Sequence, residues 1–245
     1  MYFYELATKL GIERIHHNLE LFGFGVNTVL DLPEARDGLL PSREWKQRVR
    51  GEAWYTGDTV NIGIGQGNIL ATPMQLATAV AILANRGKAI APHMVKSGSD
   101  LASKSTVSRL EDIELVPDHV WDLIIGSMEK VVHRGNQGYG ENGTAWAYIG
   151  MDIPYRMAGK SGTAQVVGIA QGEEYDEEEL DERERKHAWF IGFAPIDDPQ
   201  IAVAVIVENG GGGSSVAAPV LREVIDQYLL QEEALRVADN RGAGE

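Results

Sequence analysis

The sequence predicts an α+β fold in which an antiparallel sheet is flanked by helices. Apolar residues recur at helical spacing in the segments before about residue 133, and the period shortens to that of strands after residue 156. The second and third strands are joined only by Ala194-Pro195-Ile196-Asp197-Asp198-Pro199. That connector is too short for a crossover, so the two strands form an antiparallel hairpin. At 245 residues and 44% hydrophobic content the chain can bury a sizeable core, as one large domain or two small ones.

The elements follow in order. Residues 2–10 place Tyr2, Phe3, Leu6, Ala7 and Leu10 at helical spacing, and Gly11 ends the run. A second short helix spans 12–22 and closes at Gly23. The stretch 24–70 reads as loop-rich, with Gly, Pro and the isolated aromatics Trp45, Trp54 and Tyr55. A core helix starts at Thr72-Pro73-Met74-Gln75, where Thr72 caps, Pro73 suits the first position and Gln75 completes a capping box. It runs to Ala84 and stops at Gly87. Another helix spans about 117–133.

Strands follow at 157–167, 187–193 and 200–207, the last so continuously apolar that burial on both faces is expected. The Gly-rich turn Gly210–Gly213 leads to Ser214-Ser215 as caps of a final helix, about 216–230. That helix is expected to pack through Val216, Val220, Leu221, Val224, Ile225 and Leu229. Residues 231–245 read as a polar, frayed tail.

Net charge is −14 and the pI is near 4.9, which argues against nucleic acid or an anionic membrane as main partner. There is no cysteine, hence no disulfide and no thiolate chemistry. Met1-Tyr2-Phe3-Tyr4-Glu5 lacks the basic and apolar regions of a signal peptide. No apolar run reaches the ~18 residues of a membrane span. His16, His17, His93, His119, His133 and His187 show no zinc-helix spacing, so neither metal nor cofactor is expected. The acidic run from Glu173 to Lys186 reads as a solvated surface.

Chemistry concentrates in Lys160-Ser161-Gly162-Thr163, which leads into an apolar alternation. A cation, two hydroxyls and a glycine suit a strand edge that holds a carboxylate and lets a substrate backbone approach. Two other patterns read as structure. Ser127-Met128-Glu129-Lys130 spells Ser-x-x-Lys, but Ser127 falls deep in a helix, where its N–H is spent on the backbone ladder. Gly63-Ile64-Gly65-Gln66-Gly67 follows no clean parallel strand and reads as a tight turn rather than a nucleotide loop. His187 opens the strand expected to lie beside that of Lys160.

An ordered series now spans nearly the whole chain. It comprises Tyr2-Phe3-Tyr4, Gly63-Ile64-Gly65-Gln66-Gly67, Ala71-Thr72-Pro73-Met74-Gln75, Asn142-Gly143-Thr144-Ala145 and Gly159-Lys160-Ser161-Gly162-Thr163-Ala164-Gln165. Trp189-Phe190-Ile191-Gly192-Phe193-Ala194-Pro195 and Val207-Glu208-Asn209-Gly210-Gly211 complete it. The series resembles the C-terminal part, residues 1–230 here, of the transpeptidase domain of class B penicillin-binding proteins. The elongation-type penicillin-binding protein 2 group is the nearest likeness.

The resemblance implies a β-lactamase/transpeptidase-like fold and a serine D,D-transpeptidase that cross-links peptidoglycan and binds penicillin. Lys160 would be the catalytic cation, Ser161 and Thr163 would hold the substrate or β-lactam carboxylate, and Gly162 would leave room for the acyl donor. The Thr163 N–H would be half of an oxyanion hole. The resemblance also implies that the Ser-x-x-Lys nucleophile, a Ser-x-Asn/Asp motif, a pedestal and a membrane anchor precede the equivalent of Met1. This chain alone is therefore expected not to acylate, to expose a core face and to be marginally stable. The implied partners are a peptidoglycan stem peptide or β-lactam, a membrane-embedded glycosyltransferase and other elongation proteins, at the periplasmic face of the inner membrane. The alternative is a non-catalytic carboxylate- or peptide-binding scaffold module of cell-wall assembly.

Overall fold

The computed structural model describes residues 1–29, 31–32, 34–94, 110–138, 140–166 and 181–242, with side chains through residue 231. The chain divides into two compact units, Met1–Val116 and Pro117–Glu245.

The first unit is helical. α1 (Tyr2–Leu10) and α2 (Ile12–Leu21) lie where the sequence puts them, separated by Gly11 at φ 75°. The stretch read as loop holds two further helices, α3 (Arg43–Arg50) and α4 (Thr56–Ile62). α3 carries mostly charged residues, so apolar periodicity was too weak to reveal it. Its ends were legible: Ser42 Oγ accepts from the Trp45 N–H at 3.1 Å, and Gly51 closes the helix in the left-handed region at φ 70°. α4 is too short for periodicity to register. Lys46, 4% exposed, ties the two together through Asp58 Oδ2 at 2.7 Å.

α4 ends at Gly63, and the Gly63–Gly67 segment is the tight turn its glycines predict, with Gly65 and Gly67 at positive φ. A Cβ on Gly63 would lie 2.2 Å from the Ala7 Cβ, so only glycine lets α1 pack this closely on α4.

α5 (Pro73–Ala84) forms with the capping box read from sequence: Thr72 Oγ1 accepts from the Gln75 N–H, and Gln75 Oε1 accepts from the Thr72 N–H. Gln75 does more than cap. It is 1% exposed, and its amide donates to the carbonyls of Val26 at 3.0 Å and Asp37 at 2.7 Å, with a longer bond to Gly23 at 3.3 Å.

The second unit carries the sheet. α6 (Asp118–His133) leads through a π-helical turn, Trp146–Gly150, to β1 (Ala158–Ala164). β2 (His187–Ala194) and β3 (Ile201–Val207) complete a sheet ordered β1-β2-β3, antiparallel throughout. Val167 and most of the acidic run read from sequence lie outside the described residues. A second π-helical turn, Gly213–Ala217, opens into α7 (Ala218–Gly242).

Side chains alternate along β2. Ala188, Phe190 and Ala194 are fully buried in a cluster with Val132 of α6, Met157, and Leu221 and Ile225 of α7.

Four further expectations are corrected. β3 is half-buried at every residue rather than buried on both faces, because it is the outer strand of the described sheet. Leu221, Ile225 and Leu229 of α7 and Val216 of the preceding turn pack on the core as expected, whereas Val220 and Val224 sit about 100° round the helix and are 45% and 43% exposed. Ser214 and Ser215 do not cap α7: they lie inside the π-helical turn, and Ser215 Oγ donates to the Gly212 carbonyl at 3.3 Å. The α7 backbone runs on to Gly242, past the end at 230 that the sequence suggests.

Candidate active-site strand

β1 presents the four residues singled out by sequence. Lys160 and Thr163 are exposed, and Ser161 and Gly162 are half-buried. Each is fixed in register on β2: Lys160 faces Ile191, Ser161 faces Phe190, Gly162 faces Trp189 and Thr163 faces Ala188. β2 occupies one edge of β1, and no described strand occupies the other.

In an antiparallel pair the peptide groups of successive residues point alternately toward and away from the partner. The Gly162 N and O atoms and the Trp189 O atom cluster around one point above the sheet. That places Gly162 on a rung bonded to Trp189, and it turns the peptide groups of Ser161 and Thr163 to the open edge. The open edge therefore carries the Thr163 N–H, the Ser161 carbonyl and the Lys160 ammonium.

The ammonium lies along this edge. Lys160 Nζ donates to the Ser161 carbonyl at 2.7 Å and lies 3.4 Å from Ser161 Oγ. Partial loss of water beside the strand lowers its pKa from the ordinary lysine value. Gly162 adds no side chain here. A Cβ on it would sit 3.3 Å from the Trp189 Cβ, on the same face.

The flanks of β1 are tied to α6. The Met157 N–H donates to His133 Nε2 at 3.0 Å, so that nitrogen is unprotonated. Burial lowers the His133 pKa, as do the charges of Arg156 and Arg222, against the opposing pull of Glu129. Arg156 bridges Glu129 of α6 and Asp197 of the β2–β3 connector.

His187 pairs with Ala164, as its place beside the Lys160 strand predicts. Its Nδ1 accepts from the Asn209 N–H at 2.9 Å. Asn209 stands at φ 56°, and its amide donates to the carbonyls of Arg183 and Arg185. Sequence reasoning took this segment as a turn and missed its tie to the start of β2. The one available signal was Asn-Gly, a pair suited to positive φ.

Ser127 is elsewhere in chemistry. It lies well inside α6, exposed, and its hydroxyl donates to the Leu123 carbonyl at 2.6 Å. Its N–H belongs to the helix ladder and cannot serve an oxyanion.

Residues 1–226 match the penicillin binding protein transpeptidase domain. The chain belongs to that family. It is 41% identical over 236 residues to the peptidoglycan D,D-transpeptidase MrdA of Haemophilus influenzae, covering 94% of this chain and 35% of that protein. The chain thus spans about a third of the length of the curated relatives it matches, 35% in that case.

Among solved structures it is similar to Pseudomonas aeruginosa PBP2 in complex with WCK 5153. The TM-score is 0.78 at 46% identity, covering 94% of this chain and 46% of that one. It is also similar to Helicobacter pylori PBP2 in its complex with MreC, with a TM-score of 0.75 at 28% identity over 94% of this chain and 38% of that one. The helices and antiparallel sheet are those of this transpeptidase fold, and its near relatives are PBP2 proteins of cell-wall synthesis. No described helix is long and apolar enough to cross a membrane.

Proposed function

We propose that this transpeptidase-family chain supplies the carboxylate-binding and oxyanion side of a serine D,D-transpeptidase site. The open edge of β1 carries the reading. It offers a cation, two hydroxyls and an outward N–H within four consecutive residues. An acyl donor laid along that edge as an added strand would place its terminal carboxylate against Lys160, Ser161 and Thr163. The Thr163 N–H would stabilise the oxyanion of the tetrahedral intermediate, and Gly162 would keep the edge open. Lys160 would hold positive charge where the carboxylate binds and where a hydroxyl relays a proton.

The nucleophile is not among these 245 residues. Ser127 makes their one Ser-x-x-Lys sequence, and its geometry is that of a helix-face serine. The chain by itself is expected to form no penicillin adduct. The substrate class is the peptidoglycan stem peptide, and the setting is the outer face of the bacterial inner membrane. The structure with MreC supports elongation proteins as partners.

The test is a hybrid in which residues 1–226 replace the matching segment of Haemophilus influenzae MrdA. A folded hybrid, checked by circular dichroism, is expected to form a covalent adduct with fluorescent penicillin at a serine outside the replaced segment. A folded hybrid without an adduct would overturn the reading, and so would an adduct on Ser127.

A further inference from the structure

We propose that Gly213 is a positioning residue for the Ser161–Thr163 edge, setting the rung that aims the Thr163 N–H outward. The inference rests on the reading of β1 given above. Gly213 opens the π-helical turn between β3 and α7 and is buried, while its neighbour Gly212 is exposed. A Cβ on Gly213 would lie 2.4 Å from the Gly162 O and 2.4 Å from the Trp189 O, and 3.1 Å from the Gly162 N. All three are backbone atoms of one rung. The turn therefore rests directly on the peptide groups of Gly162, with no side chain between.

Real Cβ atoms do not approach this closely, so a methyl at Gly213 must displace backbone. Reaching even 3.0 Å from both carbonyl oxygens needs a shift of at least roughly 0.6 Å, in a core packed too densely to absorb it elsewhere. The turn itself is held at its other end. Asn209 donates to the Arg183 and Arg185 carbonyls, and the Gly211 N–H donates to the Lys186 carbonyl at 2.8 Å. With the turn anchored, the Gly162–Trp189 rung is the part that yields. Displacing the Gly162 N and O carries the Ser161 carbonyl and the Thr163 N–H with them, because each shares one planar peptide unit with one of those atoms.

The substitution is Gly213→Ala, and the control is Gly212→Ala. A Cβ on Gly212 would meet only the Ser215 side chain, with Oγ nearest at 2.5 Å, and a hydroxyl can rotate away. Its φ of −84° suits any residue. In the 15N-labelled 245-residue chain, Gly213→Ala is expected to move the amide resonances of Gly162, Thr163 and Trp189, and Gly212→Ala to leave them in place. In the hybrid, Gly213→Ala is expected to slow penicillin acylation about tenfold or more, since sub-ångström misplacement of oxyanion donors is felt in rate.

A merely structural role would lower the melting temperature and leave acylation by the folded protein unchanged. That result, or unmoved Gly162 and Thr163 amides, would overturn the inference. If Gly213→Ala does not fold, hydrogen exchange in the wild-type chain decides. The Gly162 N–H must be protected and the Thr163 N–H fast, and equal rates would overturn the assignment. A wild-type hybrid that takes up no penicillin refutes the reading of the site, while the amide shifts still judge Gly213.

Discussion

At the scale of single residues, the site depends on polar atoms whose direction is set by neighbours. Lys160, Ser161, Gly162 and Thr163 stand out in the sequence as candidates because their chemistry is concentrated in four positions. What the sequence could not give is direction: which peptide groups face β2 and which face the open edge follows from the Gly162–Trp189 register. His133 illustrates the same gap. As one of six histidines without a metal spacing it looked inert, yet its ring accepts the N–H of Met157, just before β1.

That bond requires neutral imidazole, and burial lowers its pKa below the ordinary 6.5. The unfolded chain then binds the proton more readily. The contribution to stability is fully present above about pH 6.5 and is lost as pH falls toward the folded value. His133→Gln, whose carbonyl oxygen can accept the same bond, is expected to flatten the fall of melting temperature between pH 7 and 5. An identical pH dependence in both proteins would contradict this account.

At the scale of elements, α1, α2, α5, α6 and the β2–β3 hairpin were legible because periodicity and punctuation agree there. α3 and α4 were not, since one carries mostly charged residues and the other is seven residues long. The register of β1 on β2 was legible only as adjacency. The reach of Gln75 was also hidden, because its partners lie 38 to 52 positions away.

Gln75 holds the segment 23–37 to α5 through buried bonds, so its loss leaves carbonyls unsatisfied as well as a cavity. Gln75→Ala is expected to cost about 3 kcal/mol. Thr72→Ala, which removes a cap alone, is expected to cost about 1 kcal/mol. Urea unfolding of both variants checks the ranking, and equal costs would show that Gln75 only caps.

For the whole molecule, family membership was legible because the motifs stand in order along the chain, and the match over residues 1–226 bears this out. The division into two units was not marked by any composition shift, since Val116-Pro117 reads only as a helix start. The sheet, the Lys160 strand and the Gly213 turn all lie in the second unit, so the local geometry of the candidate site is set there.

The most direct measurement is the second-order rate of penicillin acylation of the folded hybrid, compared with its Lys160→Ala and Ser127→Ala forms. The account predicts a loss of about a hundredfold for Lys160→Ala, in the range seen when a group stabilising the transition state is removed, and no change for Ser127→Ala. A Lys160→Ala hybrid that acylates at the wild-type rate, or a Ser127→Ala hybrid that does not acylate, would contradict it.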